Sequence, residues 1–456
     1  MSSTTMINDL TEGRLAPKLI RFSLPFMLAN LLQTLYTLID LAVVGQYVGS
    51  VGLSAVSVSG QLTILLYAVG IGLGNGGQIL ISQQVGSKDY SGLKRTIGTL
   101  LSACGICSII IAVLGITCAG WAMRALNTPE EAMKQAVSYF SICCLGIPFT
   151  YSYGSLCCIL KGMGDSRRPT LFIAIASVVN VVLDLLFVVT FKMESAGAAL
   201  ATVISQVISF LFAFIHLYRR REAFGFDFRP KSFAIHGKTL AFIIKLSAPL
   251  VCMSISINAS MLFINSYINA YGLVATSVGG IGSKLYSLMN IVTGATQSAT
   301  ASCVGQNLGA GKTDRVRKSV YVSTYICFIF FVIVGTLALV CPKAIFGIFT
   351  SDPEVLELSV SYMRIAFWLY LAFTLMSSPL GFINGIGFTS LNMIVALLDG
   401  VVARIGISLL MGITLGMGLE GFWWGSALAG YISVIIPGLY FLFGKWENRR
   451  VMAKEL

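Results

Sequence analysis

Three carboxylates stand inside long apolar runs of this chain, Asp40, Asp184 and Asp399, and Glu420 lies near the outer end of another. A charge at the centre of a bilayer costs at least ~2.5–3.5 kcal/mol on insertion scales, so acids in such runs are candidates for function. Asn180 precedes Asp184 by one helical turn and shares its face. At 1.5 Å per residue, Asp40 and Thr202 lie roughly 9 Å below the outer ends of their runs, and Asp184 and Tyr139 roughly 12 Å below theirs. Two carboxylates, an amide, a phenol and a hydroxyl therefore share one layer, and no Lys or Arg of that half lies at the same depth. Two unpaired carboxylates in a low dielectric do not both ionise readily, so the pair should hold a proton or a cation. Asp40, Asn180, Asp184 and Thr202 offer oxygen ligands that would suit sodium as a hard cation. Beyond that ion, H+ or Na+, no cofactor is expected.

The second half carries a different set. Arg404 stands 220 positions after Asp184, and Asp399 lies five residues before it. Lys284 and Arg364 are the other bases inside apolar runs. Asp399 and Arg404 are expected to pair across a turn, as a structural or gating ion pair rather than a coupling site. The four residues are candidates for gating or cavity charge.

These residues need helices to place them. Of the 456 residues, 56% are hydrophobic and 11% charged, against about 25% charged in soluble proteins. A polytopic membrane protein is expected, with all-α architecture. A bilayer core needs about 20 apolar residues per helix. Twelve runs qualify, at 17–46, 52–82, 92–119, 131–160, 168–192, 196–219, 238–272, 276–305, 314–341, 354–383, 389–416 and 418–445. Turn residues separate them, among them Asn127-Thr128-Pro129, Gly164-Asp165, Gly309-Ala310-Gly311 and Asp352-Pro353. The longest polar stretch, 219–238, marks a cytoplasmic linker between an N-terminal six-helix bundle (1–218) and a C-terminal one (239–456).

With the N-terminus inside, 24 of the 31 Lys and Arg fall on the inner side, four on outer loops and three within spans. Both termini are thus expected in the cytoplasm. The net charge of +12 reflects this topology and attraction to anionic lipid headgroups. No basic domain exists to bind nucleic acid, and none is expected as a partner. All eleven cysteines lie in apolar stretches as small hydrophobes.

The halves repeat. Ser23-Leu24-Pro25 returns as Ser247-Ala248-Pro249 and Pro129-Glu130 as Pro353-Glu354, both 224 positions on. Gln83-x-x-Gly86 returns as Gln306-x-x-Gly309, and Gly162-Met163-Gly164 as Gly385-Ile386-Gly387, both 223 on. Six spans per repeat make the halves parallel, related by a pseudo-two-fold axis along the membrane normal. Two motifs mislead. "GAGKT" at 309–313 has Gln306 where a P-loop needs glycine. "GIGLGNGG" at 70–77 lies inside an apolar helix, where Gly70/Gly74 and Gly72/Gly76 read as packing faces.

The landmark prolines, the loops "SQQVGSKDYSGLKR" and "GQNLGAGKTDRVRK", "KGMGDSRRPT", and "NVVLD" followed by "GAALATVISQ" together resemble the multidrug and toxic compound extrusion (MATE) transporters. The pattern is most similar to their DinF-like prokaryotic branch, and the resemblance covers essentially the whole chain. It implies cation-coupled antiport, exporting amphipathic, mainly cationic drugs from a prokaryotic cell across its inner membrane, and a role in antibiotic resistance. Asp40, Asn180, Asp184 and Thr202 match the family's N-terminal cation-site positions, Tyr139 its neighbouring tyrosine, and Pro25 the proline where the first helix bends. Spans seven and ten lack the acids of the NorM-like branch, so no C-terminal sodium site of that type is expected. A lipid-linked oligosaccharide flippase of the same superfamily is the alternative, favoured if Lys284, Arg364 and Arg404 line a cleft. No enzyme motif is present, and a monomer is expected.

Overall fold

The computed structural model of the protein describes residues 7–126 and 128–448. The expected turn residue Asn127 and the C-terminal bases Arg449, Arg450 and Lys454 lie outside the described residues. Among the described residues there is helix and no strand.

Twelve long helices follow in order: α1 (Leu15–Tyr47), α2 (Ser50–Ser87), α3 (Tyr90–Ala125), α4 (Glu130–Gly162), α5 (Arg167–Thr190), α6 (Glu194–Arg219), α7 (Gly237–Asn269), α8 (Leu273–Gly309), α9 (Thr313–Val340), α10 (Pro353–Gly385), α11 (Thr389–Thr414) and α12 (Gly418–Phe443). Eleven are long and apolar enough to cross a membrane. The other, α8, is 37 residues long but rich in Ser, Thr, Gly, Asn and Gln. Its C-terminal end is wholly buried from Ala299 to Gly309, so those polar side chains face protein rather than lipid.

The chain forms two compact units. The first comprises chiefly Leu24–Ala248, and the second comprises Leu10–Ser23 with the chain from Pro249 onward. The division thus falls at Ala248/Pro249 rather than within 219–238, and the first turns of α1 belong to the second unit. Both borders fall at a landmark proline, immediately before Leu24-Pro25 in α1 and at Pro249 in α7. A proline inside a helix removes one backbone hydrogen bond and crowds the preceding turn.

In the first unit α2 packs along α4, and glycine sets their approach. A Cβ on Gly70 would lie 2.6 Å from the Tyr151 ring, and one on Gly74 would lie 2.8 Å from Cys158 Sγ. The glycine run is therefore a packing face, as its place in an apolar helix implies. In the second unit α8 and α10 meet in the same way. There a Cβ on Gly381 or Gly385 would come within 2.7 Å of a backbone carbonyl of α8. The α1–α2 and α7–α8 corners each turn on a glycine with positive φ, Gly49 at 83° and Gly272 at 97°. These residues are 223 positions apart, so the repeat extends to backbone conformation.

Two polar segments are more ordered than their composition suggests. The central segment folds onto α3, where Ser102 Oγ donates to Phe233 O at 2.6 Å and the His236 amide to Thr99 Oγ1 at 3.3 Å. Phe226, Phe228 and Phe233 pack edge-to-face within it. Ser232 donates to Asp227, and this bond holds that exposed carboxyl below its usual range. In the second unit, residues 10–13 are gripped by the α8–α9 turn. The Leu10 amide donates to Gln306 Oε1 at 2.9 Å, and Lys312 Nζ to Thr11 O at 3.1 Å. Arg315 donates to the carbonyls of Leu10, Glu12 and Gly13 at 3.0–3.2 Å. The lysine of "GAGKT" thus holds the chain's own N-terminal segment.

Candidate functional site

The N-terminal layer is assembled by α1, α4, α5 and α6. Val43 and Val44 of α1, Tyr139 and Cys143 of α4, Val188 of α5 and Ala198 and Ala199 of α6 form one buried apolar cluster. That cluster fixes four helices whose polar residues face the same region. Asp184 is fully buried, Asn180 and Asp40 nearly so, and Tyr139 is buried. Asn180 Nδ2 donates to Thr202 Oγ1 at 3.4 Å, which ties α5 to α6. Asp40 lies near both Asp184 and Tyr139. All five residues expected in the layer are buried or half-buried there.

The hydrogen-bond inventory gives this layer its chemistry. One oxygen of Asp40, both oxygens of Asp184 and the amide oxygen of Asn180 are buried with no protein donor in reach. Buried polar atoms are normally paired, since an unsatisfied one costs about 1–3 kcal/mol and more when charged. All four atoms are acceptors, so the site calls for a proton or a cation. Directly after Asp184, α5 widens into a π-helical segment, Leu185–Thr190. Such bulges shift the register of a helix and recur at functional sites.

Beside this layer is a cavity of about 290 Å³, lined by residues of α1, α2, α4, α5 and α6. It reaches Thr202, and α1 lines it with Phe26, Asn30, Gln33 and Tyr36. Tyr36, four residues before Asp40, lies near both acids. These α1 residues were not expected, although Asn30, Gln33, Tyr36 and Asp40 form a polar stripe at helical spacing that the sequence displays. Pro25, inside the first third of α1, is half-buried. Its carbonyl accepts from Thr170 Oγ1 at 2.7 Å, and Lys161 Nζ sits 5.0 Å from the centre of the neighbouring Phe26 ring.

The C-terminal half departs from this pattern where Arg404 replaces Asp184. Arg404 Nη2 donates to Asp399 Oδ1 at 2.8 Å, and Ser433 Oγ to Asp399 Oδ2 at 2.6 Å. Both charged residues are buried. The pair lies within a π-helical stretch of α11, Leu398–Ile405, and a second one, Leu410–Thr414, falls near the place where the repeat offset of 223 puts Leu185–Thr190 of α5. A second cavity, about 310 Å³, is lined by Arg404 but not by Lys284 or Arg364. Both of those side chains are exposed. Helical phase accounts for this, because Gly282, Ser283, Tyr286 and Ser287 of α8 and Tyr362, Ile365, Ala366 and Leu369 of α10 face the cavity. Lys284 and Arg364 lie off those faces.

A duplicated, all-helical chain of membrane-spanning segments, with a cavity inside each half, has the architecture of a multi-pass membrane transporter. The family model described as MatE matches twice, over residues 25–186 and 249–410, and the chain belongs to this multidrug and toxic compound extrusion family. The probable multidrug resistance protein YpnP of Bacillus subtilis (strain 168) is 28% identical over 448 residues, covering 98% of this chain and 99% of that protein. The multidrug export protein MepA of Staphylococcus haemolyticus is 24% identical, covering 84% and 82% respectively. Among solved structures, a MATE protein in the bent conformation superposes with a TM-score of 0.89 at 23% identity, over 98% of this chain and 97% of that one. One in the straight conformation gives 0.88 at 22%, over 100% and 99%.

Proposed function

We propose that the protein is a cation-coupled multidrug antiporter that exports amphipathic, mainly cationic compounds by alternating access. The observation that carries this reading is the set of orphaned acceptor oxygens on Asp40, Asn180 and Asp184. A proton or a sodium ion entering that layer satisfies them, and Thr202 and Tyr139 complete its oxygen-rich wall. The names of YpnP and MepA, as multidrug resistance and export proteins, supply the substrate class. The distribution of Lys and Arg supports both termini inside, and the bacterial relatives support a prokaryotic cytoplasmic membrane.

The same layer couples the ion to movement. With the acids ionised or holding a cation, the layer is polar and favours an α1 that keeps the N-terminal cavity open. With the acids protonated and cation-free, the layer can bury itself, and α1 bends at Pro25 to shrink the cavity and expel its occupant. An ion shifts this equilibrium only by binding the two forms differently, so drug and cation must compete for overlapping groups. Bent and straight conformations of a MATE relative support the bend. The relatives' names, as multidrug resistance and export proteins, favour the antiporter over the flippase alternative.

The test is ethidium accumulation in efflux-deficient cells expressing the wild type or Asp40→Asn. The variant keeps shape and most hydrogen bonding but loses the titratable group. Efflux should fall to the level of empty cells while the protein still reaches the membrane. Normal efflux by the variant would end the coupling assignment.

A further inference from the structure

The weak point of α1 is held from outside by the start of α5. Pro25 lacks the amide that would bond the Arg21 carbonyl. Thr170 Oγ1 donates to the Pro25 carbonyl at 2.7 Å, and it also lies 2.9 Å from the Ser166 carbonyl, four residues back in its own chain segment. A hydroxyl carries one proton, so Thr170 makes only one of these two bonds fully at a time. The mount is firm: Asp165 is buried, accepts from the Arg167 and Arg168 amides at 3.1 and 3.3 Å, and pairs with the Arg168 guanidinium. Next to Pro25, Phe26 is buried with Lys161 Nζ 5.0 Å from its ring centre, an attractive placement for a cation. Both residues line the N-terminal cavity, and among the described residues lining it Lys161 is the one Lys, Arg, Asp or Glu. The second half lacks this arrangement, because at the repeat offset of 223 Thr170 falls on Met393, which has no hydroxyl.

Opening a buried side-chain hydrogen bond normally leaves a donor unpaired, which is costly. Thr170 escapes that cost, because a second acceptor is already within reach of its hydroxyl. The Pro25 carbonyl keeps its place in the helical ladder, facing the Ala29 amide. The contact can therefore open and close without stranding a polar group. We propose that Thr170 is a positioning residue that latches α1 at its hinge, turning its hydroxyl from the Pro25 carbonyl to the Ser166 carbonyl when α1 bends. Lys161 over Phe26 is the second arm of the latch. That arm stands in the cavity wall, where an occupant meets it, so cavity occupancy is connected to the hinge. The inference deepens the bending proposed for α1 and rests on it.

Amide hydrogen–deuterium exchange on the purified full-length protein tests the latch without requiring transport. Thr170→Val keeps the shape and removes the donor, whereas Thr170→Ser keeps the donor. Pro25→Ala and Pro25→Ala/Thr170→Val supply a background without the hinge. In Thr170→Val the α1 amides beside Pro25 should exchange at least about threefold faster than in the wild type, because the latched form is less populated. Amides around Pro249 in α7 should be unchanged, and Thr170→Ser should stay within about twofold of wild type because its hydroxyl can make the same bond. In the Pro25→Ala background Thr170→Val should have no effect on α1, since a helix without the hinge gives the latch nothing to hold. Unchanged α1 exchange in Thr170→Val, equal acceleration in α7, or the same acceleration in the Pro25→Ala background would each overturn the inference. No Thr170 effect beside Asp40-dependent ethidium efflux would remove the latch and leave the antiporter standing. A hinge-dependent Thr170 effect in a protein that moves no ethidium would do the reverse.

Discussion

The two halves are built on one plan and differ most at one level. Both have six long helices, corner glycines 223 positions apart, and a π-helical segment in the fifth helix of the repeat. At that segment the first half buries acceptors without donors, on Asp184 and its neighbours, and the second buries donors without acceptors, on Arg404 and Trp423. The Asp399–Arg404 pair supplies its own counter-charge, whereas Asp40 and Asp184 are two acids without a base. Duplication thus preserved the scaffold while the charge at one position reversed. A mobile cation has a reason to visit the first half, and the second carries a fixed one.

The largest expected effect comes from the first half. Asp184→Asn removes one of the two acids while keeping its shape, and ethidium export should drop at least about tenfold with little change in thermal stability. If export survived in that variant but failed in Arg404→Met/Asp399→Asn, the assignment of roles to the two halves would be reversed.

Next in size is the fixed pair. Arg404→Ala and Asp399→Ala should each destabilise the protein by about 3–5 kcal/mol, because each leaves a buried charge alone. The double substitution should cost less than the sum, and a double-mutant cycle of thermal melts measures the difference. Strict additivity would show that the pair does not act as a unit.

The hinge separates binding from turnover. In Pro25→Ala the missing helical donor returns, and the helix loses its weak point near the Thr170 contact. Drug affinity should stay within about threefold of wild type while turnover collapses. Wild-type turnover would leave the two acids as the ion site and remove bending at Pro25 from the mechanism.

A smaller effect distinguishes the inner ends of the halves. Arg315 holds three carbonyls of residues 10–13, and its repeat counterpart, 223 positions earlier, is Gly92. Glycine has no side chain for such a grip, and the first half holds the N-terminal segment instead through Asn8, which donates to the Met163 and Gly164 carbonyls at 2.9 and 3.0 Å. Arg315→Ala should speed proteolysis of the N-terminal segment and lower stability by about 1–2 kcal/mol, in keeping with partly exposed hydrogen bonds to a charged donor. Unchanged proteolysis would show that the contact is incidental.

Much of this contrast was legible in the sequence. Hydrophobic run length located the helices because the bilayer imposes a minimum span, and the acids stood out because burying them is costly. The exchange of Asp184 for Arg404 was visible at an offset of 220, and the five-residue spacing pointed to the pairing of Arg404 with Asp399. The π-helical segments were not, since an i→i+5 hydrogen bond leaves no mark on composition. The docking of residues 10–13 and the folding of 219–238 onto α3 were also hidden, because both depend on partners hundreds or tens of residues away. Lys284 and Arg364 were grouped with Arg404 by depth, but depth along a helix says nothing of the direction a side chain takes around it. Tyr36, Asn30 and Gln33 show the opposite failure, a helical stripe that was present and was overlooked because none of the three carries a charge.

The central claim is that the acid layer of the first half takes up the ion that drives export. The most direct measurement is ethidium transport in proteoliposomes under an imposed proton gradient and, separately, an imposed sodium gradient, for the wild type and for Asp40→Asn/Asp184→Asn. The account predicts that at least one gradient accelerates wild-type transport severalfold and that neither accelerates the double variant. Gradient-driven transport that persists in the double variant would contradict it.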